Sequence, residues 1–195
     1  MTKNLICRRL SEKEIIEIYK TIAVHHFPKA ELKPVENVCR YLDQKLYMGY
    51  GLFCEDTLFA YALFLVVPTE KKLLLDYYAV LEEHRNTGTG SEFLQKLRKE
   101  LTFAQGIYIE SENPDYAKNE QEKTIRTKRI AFYHRNGAVS TGLCSILFEV
   151  PYQILYLPTN DTATADTANY FEDVDLIYHT MFPPDVYREK VQLFP

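Results

Sequence analysis

The stretch LLLDYYAVLEEHRNTGTGSEFLQKLRKEL, Leu73–Leu101, decides the fold. Its opening residues, Leu73–Leu81, are rich in Leu, Tyr and Val, the composition of a buried strand. Phe93, Leu94, Leu97 and Leu101 then recur at three- and four-residue spacings, which predicts a helix over Thr89–Thr102. Between strand and helix lies Arg85-Asn86-Thr87-Gly88-Thr89-Gly90-Ser91. Gly88 and Gly90 lack a Cβ, so the backbone there turns sharply and its N–H groups approach an anion closely. The helix start adds unpaired N–H groups and the positive end of its dipole, and a pyrophosphate suits such a terminus. Arg85 adds a charge-assisted contact. A Walker loop needs a lysine, and none follows Gly90. A dinucleotide loop needs a third glycine, which is missing.

Working outward, Asn4–Leu10 reads as a short strand, and Ser11 with Glu14 as a capping box. Ile15, Ile16, Ile18, Tyr19, Ile22 and Ala23 fit one face of the helix that follows. Pro28 and Pro34 break the chain, and Val35–Tyr47 reads as a second helix. Met48–Glu55 and Thr57–Val67 are predicted strands with a turn at Glu55-Asp56, and Pro68-Thr69-Glu70 turns the chain into Lys71–Leu81. Beyond the glycine loop come a strand over Gly106–Glu112, a helix over Glu120–Arg135 ended by Asn136-Gly137, and strands near Ala138–Val150 and Gln153–Leu157. Asp161–Ala168 is small and polar, a loop, and a C-terminal helical extension follows. Runs of strands mixed with strand–helix–strand crossovers predict an α/β (α+β) fold with a mixed, mostly antiparallel sheet and helices on both faces.

Composition removes several classes of function. A net charge of −4, with only short basic clusters at Arg8-Arg9 and Arg126 to Arg129, argues against nucleic-acid binding. Four scattered cysteines show neither disulfide nor zinc spacing, so no metal is expected. No apolar run reaches the roughly 18 residues that a membrane span needs. Met1 leads into a polar start, so no signal peptide is expected, and the expected compartment is the cytoplasm. Fifteen tyrosines without a tryptophan suit strands and core, or the lining of a cleft.

The pattern Arg-x-x-Gly-x-Gly at Arg85–Gly90, after a strand ending Ala79-Val80, resembles the coenzyme-A loop of the GNAT acetyltransferase superfamily. Ile130-Ala131-Phe132-Tyr133-His134-Arg135-Asn136-Gly137-Ala138 looks like that superfamily's later motif, an aromatic-Tyr pair before a basic residue and a helix-ending glycine. The two cover about Leu73–Val139. The resemblance implies a GNAT-like domain over 1–160, with 161–195 as an extension packed on it. It implies an N-acetyltransferase that moves an acetyl group from acetyl-CoA to a primary amine of a small molecule or peptide by direct attack. A non-catalytic acyl-CoA-binding sensor or protein-interaction module is the alternative.

By motif match, backbone groups of Ala79 and Val80 bind the pantetheine arm. Arg85, Asn86, Thr87, Gly88, Thr89, Gly90 and Ser91 hold the pyrophosphate. Tyr133 falls where many members place a tyrosine near the departing sulfur, as general acid or as a packing group. Asp76 and Glu110 are rivals for the base, each with an amine-binding or structural ion pair as the plainer role. His25 and His26 end the first helix, where the family often builds its acceptor pocket, and Tyr78 shares a strand face with Asp76. The aromatic stretch from Tyr170-Phe171 through Tyr178 to Phe182 packs on the sheet, with a cap over the acceptor cleft or a homodimer face as the alternatives.

Overall fold

The computed structural model describes residues 4–67, 71–159 and 169–195. The predicted turn at Pro68-Thr69-Glu70 and the predicted loop at Asp161–Ala168 lie outside the described residues. β1 (Ile6–Arg9) leads to Ser11, whose hydroxyl accepts from Glu14 N–H while the Glu14 carboxylate accepts from Ser11 N–H at 2.8 Å. This capping box opens α1 (Glu12–Ile18) as the sequence predicts. The helix then widens into a π turn, Tyr19–Ala23, before α2 (Val24–His26). Thr21 Oγ1 donates to Glu17 O at 2.8 Å within this stretch, a back-bond that competes with the regular ladder.

After a 3-10 turn at Lys29–Glu31, α3 spans Val35–Asp43. It is shorter than the predicted Val35–Tyr47. Lys45 takes φ 61°, which ends the helix, and Tyr47 pairs with Leu65 as the first residue of β2 (Tyr47–Cys54). β3 (Thr57–Val67) follows across Glu55-Asp56, then β4 (Lys72–Val80), a 3-10 turn at Glu82–His84, and α4 (Thr89–Glu100). β5 (Gly106–Glu112) and α5 (Glu120–Arg135) match their predicted limits. Asn119 caps α5 by accepting from Glu122 N–H at 2.8 Å, and Gly137 at φ 95° closes it.

β6 (Val139–Leu147) and β7 (Val150–Pro158) form a hairpin whose turn is Phe148-Glu149. The sequence predicts the break three residues later, at Pro151-Tyr152. Both turn residues have positive φ, 49° and 70°, the primed geometry that matches strand twist, adopted here without the glycine that normally signals it. α6 (Tyr170–Met181) and α7 (Pro184–Lys190) are the predicted C-terminal helices. The chain then adds β8 (Val191–Phe194), which pairs antiparallel with β6, Cys144 opposite Phe194.

The strands form a mostly antiparallel sheet of order β1-β2-β3-β4-β5-β7-β6-β8, in which β1·β2, β2·β3, β5·β7, β6·β7 and β6·β8 are antiparallel. The chain divides into two compact units, Met1–Pro68 with Leu75–Glu100, and Thr69–Leu74 with Leu101–Pro195. The first buries Ile15, Leu52, Tyr61, Leu63, Phe64, Leu65, Phe93 and Leu94. The second buries Tyr108, Ile154, Leu155, Leu157, Val174, Ile177 and Tyr178. Each fully buried aliphatic or aromatic side chain contributes roughly 1.5–3 kcal/mol, so each unit carries its own apolar core.

Candidate functional site

In the first unit, the glycine loop runs from the end of β4 to the start of α4. Arg85 to Gly88 are exposed. Asn86 takes φ 60° and Gly88 φ 85°, so the backbone reverses its hand twice before α4 begins. A Cβ built on Gly88 meets nothing within 4 Å, so the space over the loop is open. The loop's own side chains close it from below. Thr87 Oγ1 donates to His84 O at 2.7 Å and lies 2.8 Å from Thr89 Oγ1. Arg85 Nε donates to Val80 O at 3.0 Å, which uses one of the five guanidinium donors and ties the loop to the strand.

Tyr78 serves the same loop. Its hydroxyl donates to Gly90 O at 2.6 Å, and its ring stacks on Phe93 with centroids 5.6 Å apart. Tyr78, an expected acceptor-site residue, thus places its phenol on the first turn of α4. An open, left-handed, glycine-bearing turn feeding a helix N-terminus fits the diphosphate of a coenzyme A.

The other predicted residues of this unit sit around the first helix and β4. His25 is exposed and His26 half-buried. His26 Nδ1 lies 3.2 Å from Tyr61 OH, and the two rings are near-parallel, 7° apart in plane. Burial first, then the charges of Arg85 and His25, hold the His26 imidazole below its ordinary value, so it is neutral at pH 7. The Asp76 side chain is buried and bonded on both oxygens, by the Lys33 ammonium on Oδ1 and the Tyr47 hydroxyl on Oδ2. Burial and then the Asp76 charge push the Tyr47 phenol well above its ordinary value, so it remains a donor.

In the second unit, Glu110 on β5 accepts from Tyr178 OH at 2.6 Å, and the same phenol oxygen accepts from the Ser145 hydroxyl at 3.0 Å. Tyr133 occupies the last turn of α5, buried, with Phe132 edge-on at 5.3 Å. Burial pushes its phenol up to about 12, with the Arg129 charge opposing. Arg126, also on α5, is buried and joins Glu112 at 2.8 Å, Glu122 at 2.7 Å and Asn113 O at 2.9 Å. Among the described residues no group of three or more His, Cys, Asp and Glu side chains is placed to hold a metal ion. None of their helices is long and apolar enough to cross a membrane.

No family model matches the chain, and no curated protein matches it in sequence. Solved structures do. A protein named as an acetyltransferase of the GNAT family from Bacteroides thetaiotaomicron superposes with a TM-score of 0.67 at 17% identity, over 90% of this chain and 98% of its own. The fold is that of the GNAT acetyltransferases. A spermidine N-acetyltransferase chimera from Vibrio cholerae and hSSAT shares this GNAT fold, with a TM-score of 0.56 at 11% identity over 81% of this chain and 96% of that one. So does the ribosomal-protein-S18-alanine N-acetyltransferase of Escherichia coli, at 0.56 and 18% over 80% and 94%. Within the GNAT fold, the first motif segment is β4, loop and α4, and the second is the end of α5 with its glycine cap.

The sequence alone does not bring Lys33, Tyr47 and Tyr19 to the site. No local spacing links Lys33 to Asp76, 43 positions away, and the proline-bounded segment around Lys33 read only as a break.

Proposed function

We propose that the chain is an acetyl-CoA-dependent N-acetyltransferase acting on a primary amine of a small molecule or peptide. The observation that carries this is the open turn at Gly88, φ 85°, feeding α4 on a GNAT fold. Acetyl-CoA supplies the acetyl group as an activated thioester. In this reading the N–H groups of the Arg85–Ser91 loop hold the pyrophosphate, Arg85 adds charge, and the backbone of Ala79 and Val80 holds the pantetheine arm. The activity belongs to residues 1–160, with 161–195 as an extension.

Tyr133 serves as the proton donor to the departing thiolate. A thiol with pKa near 8.5 and a phenol near 12 differ by several kcal/mol at about 1.4 kcal/mol per unit. Complete transfer is therefore uphill, and the phenol acts chiefly by hydrogen-bond donation, for which its retained proton suits it. Asp76 and Glu110 are the two carboxylates proposed to receive the ammonium proton, directly or through water. His25 and His26 line the acceptor end, and Tyr78 braces the loop. Spermidine and an alanine of ribosomal protein S18 are acceptors named for two neighbours, so small-molecule and peptide amines both belong in the assay.

The experiment is thiol release from acetyl-CoA across a panel of linear polyamines, lysine-containing peptides and peptides with a free N-terminus. Turnover with one amine class supports the enzyme. Binding of acetyl-CoA with no turnover on any member overturns it in favour of an acyl-CoA sensor.

A further inference from the structure

Lys33 stands on the short connector between the 3-10 turn Lys29–Glu31 and α3. Its ammonium bonds Asp76 Oδ1, and Tyr47 OH donates to Oδ2. The Asp76 side chain is 4% exposed, that of Lys33 18%. The ring of Tyr77 lies beside the ammonium, 5.2 Å from centroid to Nζ, within the range of a cation–π contact. Tyr77 OH accepts from Lys33 N–H at 3.1 Å and donates to Glu31 O at 3.0 Å. Tyr19 OH donates to Lys33 O at 2.7 Å, and Tyr19 belongs to the π turn of the first helix.

Two features set this cluster apart from an ordinary structural ion pair. Burying a carboxylate and an ammonium costs desolvation that the pair rarely recovers against apolar side chains of the same size. Stability alone is thus a poor reason for it. The π turn is the second feature, since such insertions occur mostly at functional sites. Lys33 also reaches Asp76 from an irregular connector, on a flexible four-carbon stem whose charge is readily withdrawn to water. The resident group is in effect n-butylammonium, and everything around it is what recognises one: a carboxylate, a phenol and an aromatic face.

We propose that Asp76, with the Tyr47 hydroxyl and the Tyr77 ring, is a recognition site for an alkylammonium group, and that Lys33 is its exchangeable occupant. The ligand class is a primary ammonium on an unbranched chain, as in a lysine side chain or a linear diamine. This rests on the acetyltransferase reading for its purpose: the acceptor's ammonium replaces that of Lys33. The site also sets selectivity, because a branched or quaternary cation lacks either the N–H donors or the width that fits.

The test uses n-butylammonium chloride as probe, against sodium chloride and tetramethylammonium chloride at equal ionic strength. Lys33→Ala vacates the site. Butylammonium then raises the melting temperature of the variant by at least about 3 °C over the other two salts, and leaves the wild type unmoved. An equal response to all three salts overturns the proposal. If Lys33→Ala does not fold, the wild type answers instead, through labelling of its lysines by an acylating reagent and peptide mass spectrometry. Butylammonium should raise labelling of Lys33 about threefold relative to exposed Lys45 as internal standard; an unchanged ratio contradicts exchange. Neither arm contains acetyl-CoA. Failure of the chain to bind acetyl-CoA therefore sinks the enzyme reading without touching this one.

Discussion

The phenol of Tyr78 donates to the carbonyl oxygen of Gly90, 2.6 Å away, and so fixes the strand before the glycine loop to the first turn of the helix after it. The bond spans only twelve residues of chain, yet it closes the whole turn that is proposed to cradle the pyrophosphate. Tyr78→Phe removes it and leaves the stacking on Phe93. The expected cost is about 1 kcal/mol of stability. Coenzyme A affinity, measured by titration calorimetry, should fall several-fold with its stoichiometry unchanged.

Gly88→Ala separates backbone strain from steric blockage. A Cβ there has open space, so no clash arises within the protein, but φ 85° costs an L-residue about 1–2 kcal/mol. The melting temperature should drop modestly. Coenzyme A binding should weaken by at least about tenfold, because the methyl group would stand where the anion is proposed to approach and the loop would relax away from its left-handed turn.

Tyr133→Phe tests the donor. The kcat should fall by about 10²-fold or more while coenzyme A affinity changes little. Because the phenol keeps its proton up to about 12, kcat/KM of the wild type should show no falling limb from Tyr133 below pH 10. Unchanged turnover in the variant removes Tyr133 from the chemistry.

The same residue gives a signed stability prediction. Its folded value, about 12, lies above the ordinary 10, so between those values the folded state keeps a proton that the unfolded state has lost. Its contribution is complete below pH 10 and disappears as pH rises through 12. Tyr156 and Tyr187 are raised to about 12 in the same way, the first by burial, the second by burial and its bond to Asp175. Stability to urea should fall steeply across pH 10–12, and less steeply in Tyr133→Phe.

Arg126→Met leaves Glu112 and Glu122 without their buried partner. Arg129, 3.3 Å from Glu112, supplies only partial compensation. Glu122 is largely solvated, so the loss falls mainly on Glu112 and on the Asn113 carbonyl that Arg126 satisfies; chemical denaturation should show a drop of about 1–2 kcal/mol.

The parts of the fold legible in the sequence are those set by local chemistry. The Ser11–Glu14 box, the Asn136-Gly137 cap and the Gly106–Glu112 strand each carry their signal within a few residues. The Phe148-Glu149 turn carries none: pairing of Leu147 with Val150 forces positive φ on residues that do not advertise it. β8 is likewise decided by its distant partner, since Val191–Phe194 becomes a strand against β6. The site divides the same way. The glycine loop, proposed to bind through its backbone, reads directly, whereas the Lys33–Asp76 pair and the Tyr19 contact join residues far apart in the chain.

The most direct test of an acetyl-CoA site on this chain is calorimetric titration of the wild-type protein with acetyl-CoA, beside ATP as a control. Saturable one-to-one binding of acetyl-CoA, lost or much weakened in Gly88→Ala and absent with ATP, is the expected result. No heat with acetyl-CoA, or equal binding of the two ligands, contradicts it.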